Sequence, residues 1–148
     1  MDNSYTFNYI FVRKTLVNYK IMRTNLTIFL AEDDEDDALF FKEAMSDLLV
    51  SANITILIDG EELLKLLETN TILPDLIFLD LNMPKKNGYE CLKEIKNNYL
   101  WKQIKTIILS TTSDTAQIKK CYFLGADTFI TKASDFDEFK LNLGQCLL

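Results

Sequence analysis

The sequence contains no histidine. That absence removes Ser-His-Asp and Cys-His catalysis and most histidine-ligated metal sites. It also excludes a histidine phosphocarrier. Cysteine is scarce: Cys91, Cys121 and Cys146 stand far apart with no CxxC pair. Zinc and dithiol motifs are therefore missing, and three reduced thiols in a cytoplasmic protein are expected. No apolar run approaches the ~18 residues that a membrane helix needs. The N-terminus carries no signal-peptide core or small-residue cleavage site. No repeat, low-complexity tract or linker interrupts the chain. The expectation is cytoplasmic localisation without membrane contact.

What is present is enough for one folded unit. The 148 residues favour a single domain with one buried core. At 48% hydrophobic, the chain has the apolar content that folding requires. Its net charge of −6, with 22 acidic against 16 basic residues, argues against a nucleic-acid surface over the whole domain. The charge is uneven. Residues 1–24 hold Arg13, Lys14, Lys20 and Arg23 against Asp2, a net of +3, which leaves −9 for the remainder.

From Asn25 onward, apolar runs alternate with amphipathic stretches. Leu26–Ala31 has the shape of a strand buried on both faces. Glu35–Leu49 carries Ala38, Leu39, Phe41, Ala44, Met45 and Leu48 at helical spacing. Asn53–Ile58 is a second strand; Asp59-Gly60 is a turn signal before a helix over Glu61–Glu68. Pro74 breaks the chain before the strand Leu76–Leu79. A helix over Gly88–Asn98 follows, then a strand at Thr106–Leu109 and a helix over Ser113–Leu124 ended by Gly125. Thr128–Thr131 is the fifth strand, and Asp135–Leu147 a helix capped by Ser134 or Asp135. Five βα units predict an α/β domain with a parallel sheet covered on both faces, over residues 25–148.

Residues 1–24 stand outside that rhythm as an N-terminal extension. Tyr5, Phe7, Tyr9 and Phe11 alternate as in a strand, whereas Val12, Leu16 and Tyr19 suit a helix. Met22 would make a natural start. A loosely attached extension, an added strand and a dimer contact are all compatible with this segment.

The polar residues gather at one end of the strands. The first runs into Glu32-Asp33, the third into Asp80, the fourth into Ser110 and the fifth into Lys132. Open α/β sheets bind ligands beyond the carboxyl ends of their strands. A single strand-terminal Asp is commonly a cap or turn residue, but four polar strand ends together are not. Carboxylates at Glu32, Asp33 and Asp80 would repel one another, at about 3 kcal/mol for a pair ~5 Å apart. An all-oxygen set suits a hard cation, Mg²⁺ or Mn²⁺. A carboxylate can then act as nucleophile in phosphoryl transfer, with Lys132 supplying positive charge and Ser110 a hydroxyl donor.

Ala31-Glu-Asp-Asp34, Asp80-Leu-Asn-Met-Pro84 with Gly88, Leu109-Ser-Thr111, and Gly125-Ala126 through Phe129 to Lys132 together resemble the receiver domain of bacterial response regulators. The resemblance covers residues 25–148. It implies the flavodoxin-like, doubly wound (βα)5 fold with strand order 2-1-3-4-5. It also implies Asp80 as phosphoacceptor, Asp33 as direct metal ligand and Glu32 as a second acid acting through water. By the same resemblance Asn82 offers its backbone carbonyl to the metal, Ser110 is the switch hydroxyl, Lys132 the site lysine and Phe129 the switch aromatic. The implied partners are a sensor histidine kinase or histidine phosphotransfer protein and a downstream protein of unspecified kind. The resemblance implies a signalling role rather than enzymatic turnover. Asp80-Leu-Asn-Met-Pro-Lys-Lys-Asn-Gly88 and Asp59-Gly60-Glu61-Glu62 are similar to single-domain regulators, including those paired with bacterial phytochromes; Lys85-Lys86 reads equally as a solvated loop. One departure stands out: the family usually places proline after its lysine, often in a cis bond, and here Ala133 stands. A trans Lys132–Ala133 bond is expected, because a non-proline cis bond costs about 3 kcal/mol.

The chain ends 16 residues after Lys132, room for the last helix, so no output domain is expected. Output is expected through helix four, strand five and helix five, a face that could also form a homodimer. Thr115, Ile118, Lys119 and Tyr122 recur on one stripe of helix four; Ile118 and Tyr122 either form an exposed patch or pack on the sheet. The alternative function is a non-phosphorylated interaction module of the same fold, which would lack an acceptor or metal acid. A haloacid-dehalogenase-like phosphatase needs an Asp where Asn82 stands. A flavin-binding relative needs a phosphate-cradling loop where the acidic Glu32–Asp37 stands.

Overall fold

A computed structural model describes residues 25–147. The readings offered for residues 1–24 lie outside the described residues. Among the described residues ten elements alternate without interruption: β1 Leu26–Ala31, α1 Glu35–Asp47, β2 Ala52–Leu57, α2 Gly60–Thr69, β3 Leu76–Asp80, α3 Gly88–Asn97, β4 Lys105–Ser110, α4 Thr115–Phe123, β5 Thr128–Thr131 and α5 Phe136–Cys146.

All strand pairs are parallel, and the sheet order is β2-β1-β3-β4-β5, as the resemblance implies. The period-2 rule of a strand explains the two cores. Ile28, Leu30, Leu76, Phe78, Ile107, Leu109 and Ile130 face one side, where Phe41, Met45, Phe139 and Leu143 of α1 and α5 cover them. Phe29, Ala31, Ile77, Leu79 and Ile108 face the other, under Leu63, Leu67, Leu92, Ile95 and Cys121 of α2, α3 and α4. Strands β1, β3 and β4 are thus buried on both faces and read as continuous apolar runs. Edge strand β2 is not: Asn53 and Thr55 are exposed.

Helix starts follow local chemistry. Asp34, Asp59, Asn87, Asp114 and Asp135 each accept a backbone N–H of the first turn. Asn87 and Glu90 form a reciprocal capping box. The cap of α5 is Asp135, not Ser134. Helix α4 starts at Thr115, two residues later than its pattern predicts, because Asp114 rather than an earlier residue supplies the cap. Gly125, at φ 103, lets the chain leave α4 in the left-handed region. Among the described residues, no helix is long and apolar enough to cross a membrane.

Candidate functional site

Because the strands are parallel, their carboxyl ends meet along one edge of the sheet. Asp80 pairs across from Leu109, and Ser110 from Thr131. Glu32 follows Ala31, whose register partner is Leu79. Each polar residue is therefore delivered by an apolar strand that is anchored in both cores. Glu32, Asp80 and Ser110 are buried, at 2%, 5% and 0% exposure, whereas Asp33 is exposed.

One carboxylate oxygen each of Glu32, Asp33 and Asp80 lies within 4.8 Å of the others. Lys132 reaches into the same crevice. Its Nζ donates to Glu32 Oε2 at 2.6 Å and to Asp37 Oδ2 at 2.8 Å, and stands 3.4 Å from Asp80 Oδ1. The backbone holds it there: Lys132 N donates to the Ser110 carbonyl at 2.7 Å, one step past the end of β5. Glu32 is fixed at its other oxygen, Oε1, which accepts from Asp34 N. Ser110 Oγ accepts from Thr112 N at 3.2 Å. Asn82 is exposed, two residues beyond Asp80. Phe129 is half-buried against the α2–α4 core, and its N–H donates to the Tyr122 hydroxyl.

Desolvation raises the pKa of both Glu32 and Asp80, and the neighbouring Lys132 ammonium offsets part of that rise. The backbone N–H groups of Asn82 and Leu81 also favour the Asp80 carboxylate. Burial works against the Lys132 ammonium, but its hydrogen bonds to Asp37 and Glu32 and the charge of Asp80 prevail, so its pKa is raised. Three carboxylates, Glu32, Asp37 and Asp80, thus surround one ammonium, with Asp33 beside Glu32 and Asp80. An oxygen-only, acid-rich set of this kind fits a hard divalent cation and not zinc.

Every site residue expected from the sequence lies at this end of the sheet, except Phe129, which lies within β5 in register with Ile108. Sequence reasoning missed Asp37, whose place in an acidic first turn is explained by the helix dipole alone. It also missed the ion pair between Lys85 Nζ and Asp59 Oδ2, at 2.9 Å. Lys85-Lys86 is not a simple solvated loop: Lys85 adopts φ 62 and covers an acid that is 2% exposed. Among the described residues no peptide bond is cis, so Lys132–Ala133 is trans as expected.

The model of the response regulator receiver domain matches residues 28–143. The chain belongs to this family. The receiver is 33% identical over 123 residues to the response regulator Rcp1 of Synechocystis sp., covering 79% of this chain and 84% of that protein. It is similar to the crystal structure of the phosphorylated cyanobacterial phytochrome response regulator RcpA. That match has a TM-score of 0.76 and 33% identity, covering 82% of this chain and 91% of that chain. The Mn²⁺-bound form of Rcp1 matches with a TM-score of 0.73 and 33% identity, covering 80% and 90%. The receiver therefore shares family and fold with one protein solved in a phosphorylated state and another solved with a divalent metal.

Proposed function

We propose that this receiver, comprising residues 25–148, accepts a phosphoryl group on Asp80 from a phosphohistidine of a sensor histidine kinase or histidine phosphotransfer protein. The observation that carries the reading is the meeting of Glu32, Asp33 and Asp80 oxygens within 4.8 Å beside the Lys132 ammonium. An Asp80 oxygen attacks phosphorus, an O–P bond forms, the P–N bond breaks, and the imidazole leaves with the electron pair. Lys132 stabilises charge on the transferring oxygens, and the Ser110 hydroxyl donates to one of them once the group is on Asp80. Glu32, Asp33, Asp80 and the Asn82 carbonyl would hold Mg²⁺ or Mn²⁺, with Asp33 as the direct ligand and Glu32 acting through water. The metal, when bound, neutralises the crowded carboxylates and the phosphoryl charge.

The chain signals rather than turning over a substrate, in the cytoplasm. Its output face is α4, β5 and α5, offered to a downstream protein or to a second copy. Exposed Tyr122 and Phe123 and half-buried Ile118 on α4 support that assignment. Intact-mass spectrometry tests the proposal. Acetyl phosphate with Mg²⁺ should add one phosphoryl mass, and chelation of the metal should abolish the gain. No gain with either donor or kinase would leave the non-phosphorylated interaction module as the better reading.

A further inference from the structure

We infer that Asp37 is a positioning residue that tethers Lys132 at the mouth of the crevice and so keeps the three acids available to a metal. The inference rests on the proposed metal site. An ammonium has three N–H donors, and Lys132 has three carboxylate neighbours: Glu32 at 2.6 Å, Asp37 at 2.8 Å and Asp80 at 3.4 Å. Two of these belong to the acid cluster that would hold the cation. Asp37 alone lies outside it, on the first turn of α1, three residues past the cap Asp34.

Geometry separates the three contacts. Glu32 and Asp80 are buried and fixed by their strands, whereas the Asp37 side chain is 45% exposed and looks inward from a helix face. A divalent cation arriving at Glu32, Asp33 and Asp80 competes with the ammonium for two of its three partners. With Asp37 present, Lys132 retains a charged partner after that exchange and stays beside Asp80 instead of swinging into water. Without Asp37 the ammonium has only the two cluster acids, leans onto them, and opposes the metal more strongly. The lysine has four side-chain torsions to restrain, so losing one of its contacts also loosens its head group. This is an ion pair 95 residues apart in sequence, formed because α1 and the end of β5 flank the same sheet edge.

Calorimetric titration of the full chain with Mg²⁺ tests the inference as a double-mutant cycle. Asp37→Asn, which keeps the side-chain shape, should weaken Mg²⁺ binding about fivefold. Lys132→Met should strengthen it by removing the competing cation. In the Lys132→Met background, Asp37→Asn should change affinity by less than about twofold, because there is no ammonium left to tether. A full fivefold loss in that background would show that Asp37 merely attracts the metal through space, and would overturn the inference. An Asp37→Asn variant that binds Mg²⁺ like a binding-competent wild type would overturn it alone. A wild-type chain that takes up no Mg²⁺ would overturn the metal site and the inference together.

Discussion

Gly88 packs against the backbone of Asp80 so closely that a Cβ at position 88 would stand 2.3 Å from the Asp80 carbonyl oxygen and 2.7 Å from Leu81 Cα. The contact is held by the Gly88 N–H, which donates to the Leu81 carbonyl at 3.0 Å. Helix α3 thus begins directly behind the proposed acceptor, and only glycine fits there. Gly88→Ala should push the β3–α3 loop away and cost about 1–3 kcal/mol, the scale of overpacking in a filled core. Urea unfolding checks this. A wild-type midpoint would mean that the loop gives way without strain.

Burial raises the pKa of Glu32 and Asp80, so the folded chain binds protons more tightly than the unfolded chain. The stability these acids contribute is present below the unfolded carboxylate pKa of ~4 and is lost as pH rises through the folded values. Asp80→Asn should therefore stabilise the metal-free chain by about 1 kcal/mol at pH 7. The gain should shrink as pH falls towards 4. Urea titrations in chelator at both pH values measure it, and a variant less stable than wild type at pH 7 would contradict the sign.

Asp59 has the opposite sign. The hydrogen bond from Lys85 and that from Glu62 N hold its pKa below the usual carboxylate value. Its contribution is present above the unfolded pKa and lost as pH falls through the folded one. Asp59→Ala removes the cap of α2 and should cost about 0.5–2 kcal/mol at neutral pH. The difference from wild type should close on acidification, and a gap that stays constant to pH 2 would rule out the ionic contribution.

The site acids were legible because each buried strand runs straight into a polar residue at the same end. Asp37 and the Asp59–Lys85 pair were not, since each contact joins two loops or helix turns whose approach depends on the finished fold. Lys85 pairs with Asp59 from a backbone at φ 62, a conformation that nothing in Pro84-Lys85-Lys86 announces. The exposed face of α4 was legible only in part. Tyr122 is exposed as one reading allowed, but Phe123, at 90% exposure, lies outside the stripe Thr115, Ile118, Lys119 and Tyr122 that the helical spacing picks out. Only tertiary packing decides which apolar residue of a short amphipathic helix faces out, and Cys121 occupies the sheet-facing position.

Ser110 Oγ is fully buried and accepts from Thr112 N, which leaves its own O–H to donate to a phosphoryl oxygen on Asp80. A complete switch from 1:99 to 99:1 takes about 5.5 kcal/mol of preference. One charge-assisted hydrogen bond supplies about 1.5–3 kcal/mol of that, which leaves the rest to Lys132 and the metal. Ser110→Ala should still accept the phosphoryl group but lose any change in self-association or partner binding. Sedimentation with and without a beryllofluoride mimic reads this out. A response of wild-type size would send the signal by another route, most directly through α1.

In the proposed function the phosphoryl group resides on Asp80. Reduction of an acyl phosphate with borohydride converts that one aspartate to homoserine, and peptide mass mapping then locates it. After treatment with acetyl phosphate and Mg²⁺, homoserine should appear at position 80 and nowhere else, and Asp80→Asn should give none. Homoserine at position 33, or at no position in a chain that has gained phosphoryl mass, would contradict the account.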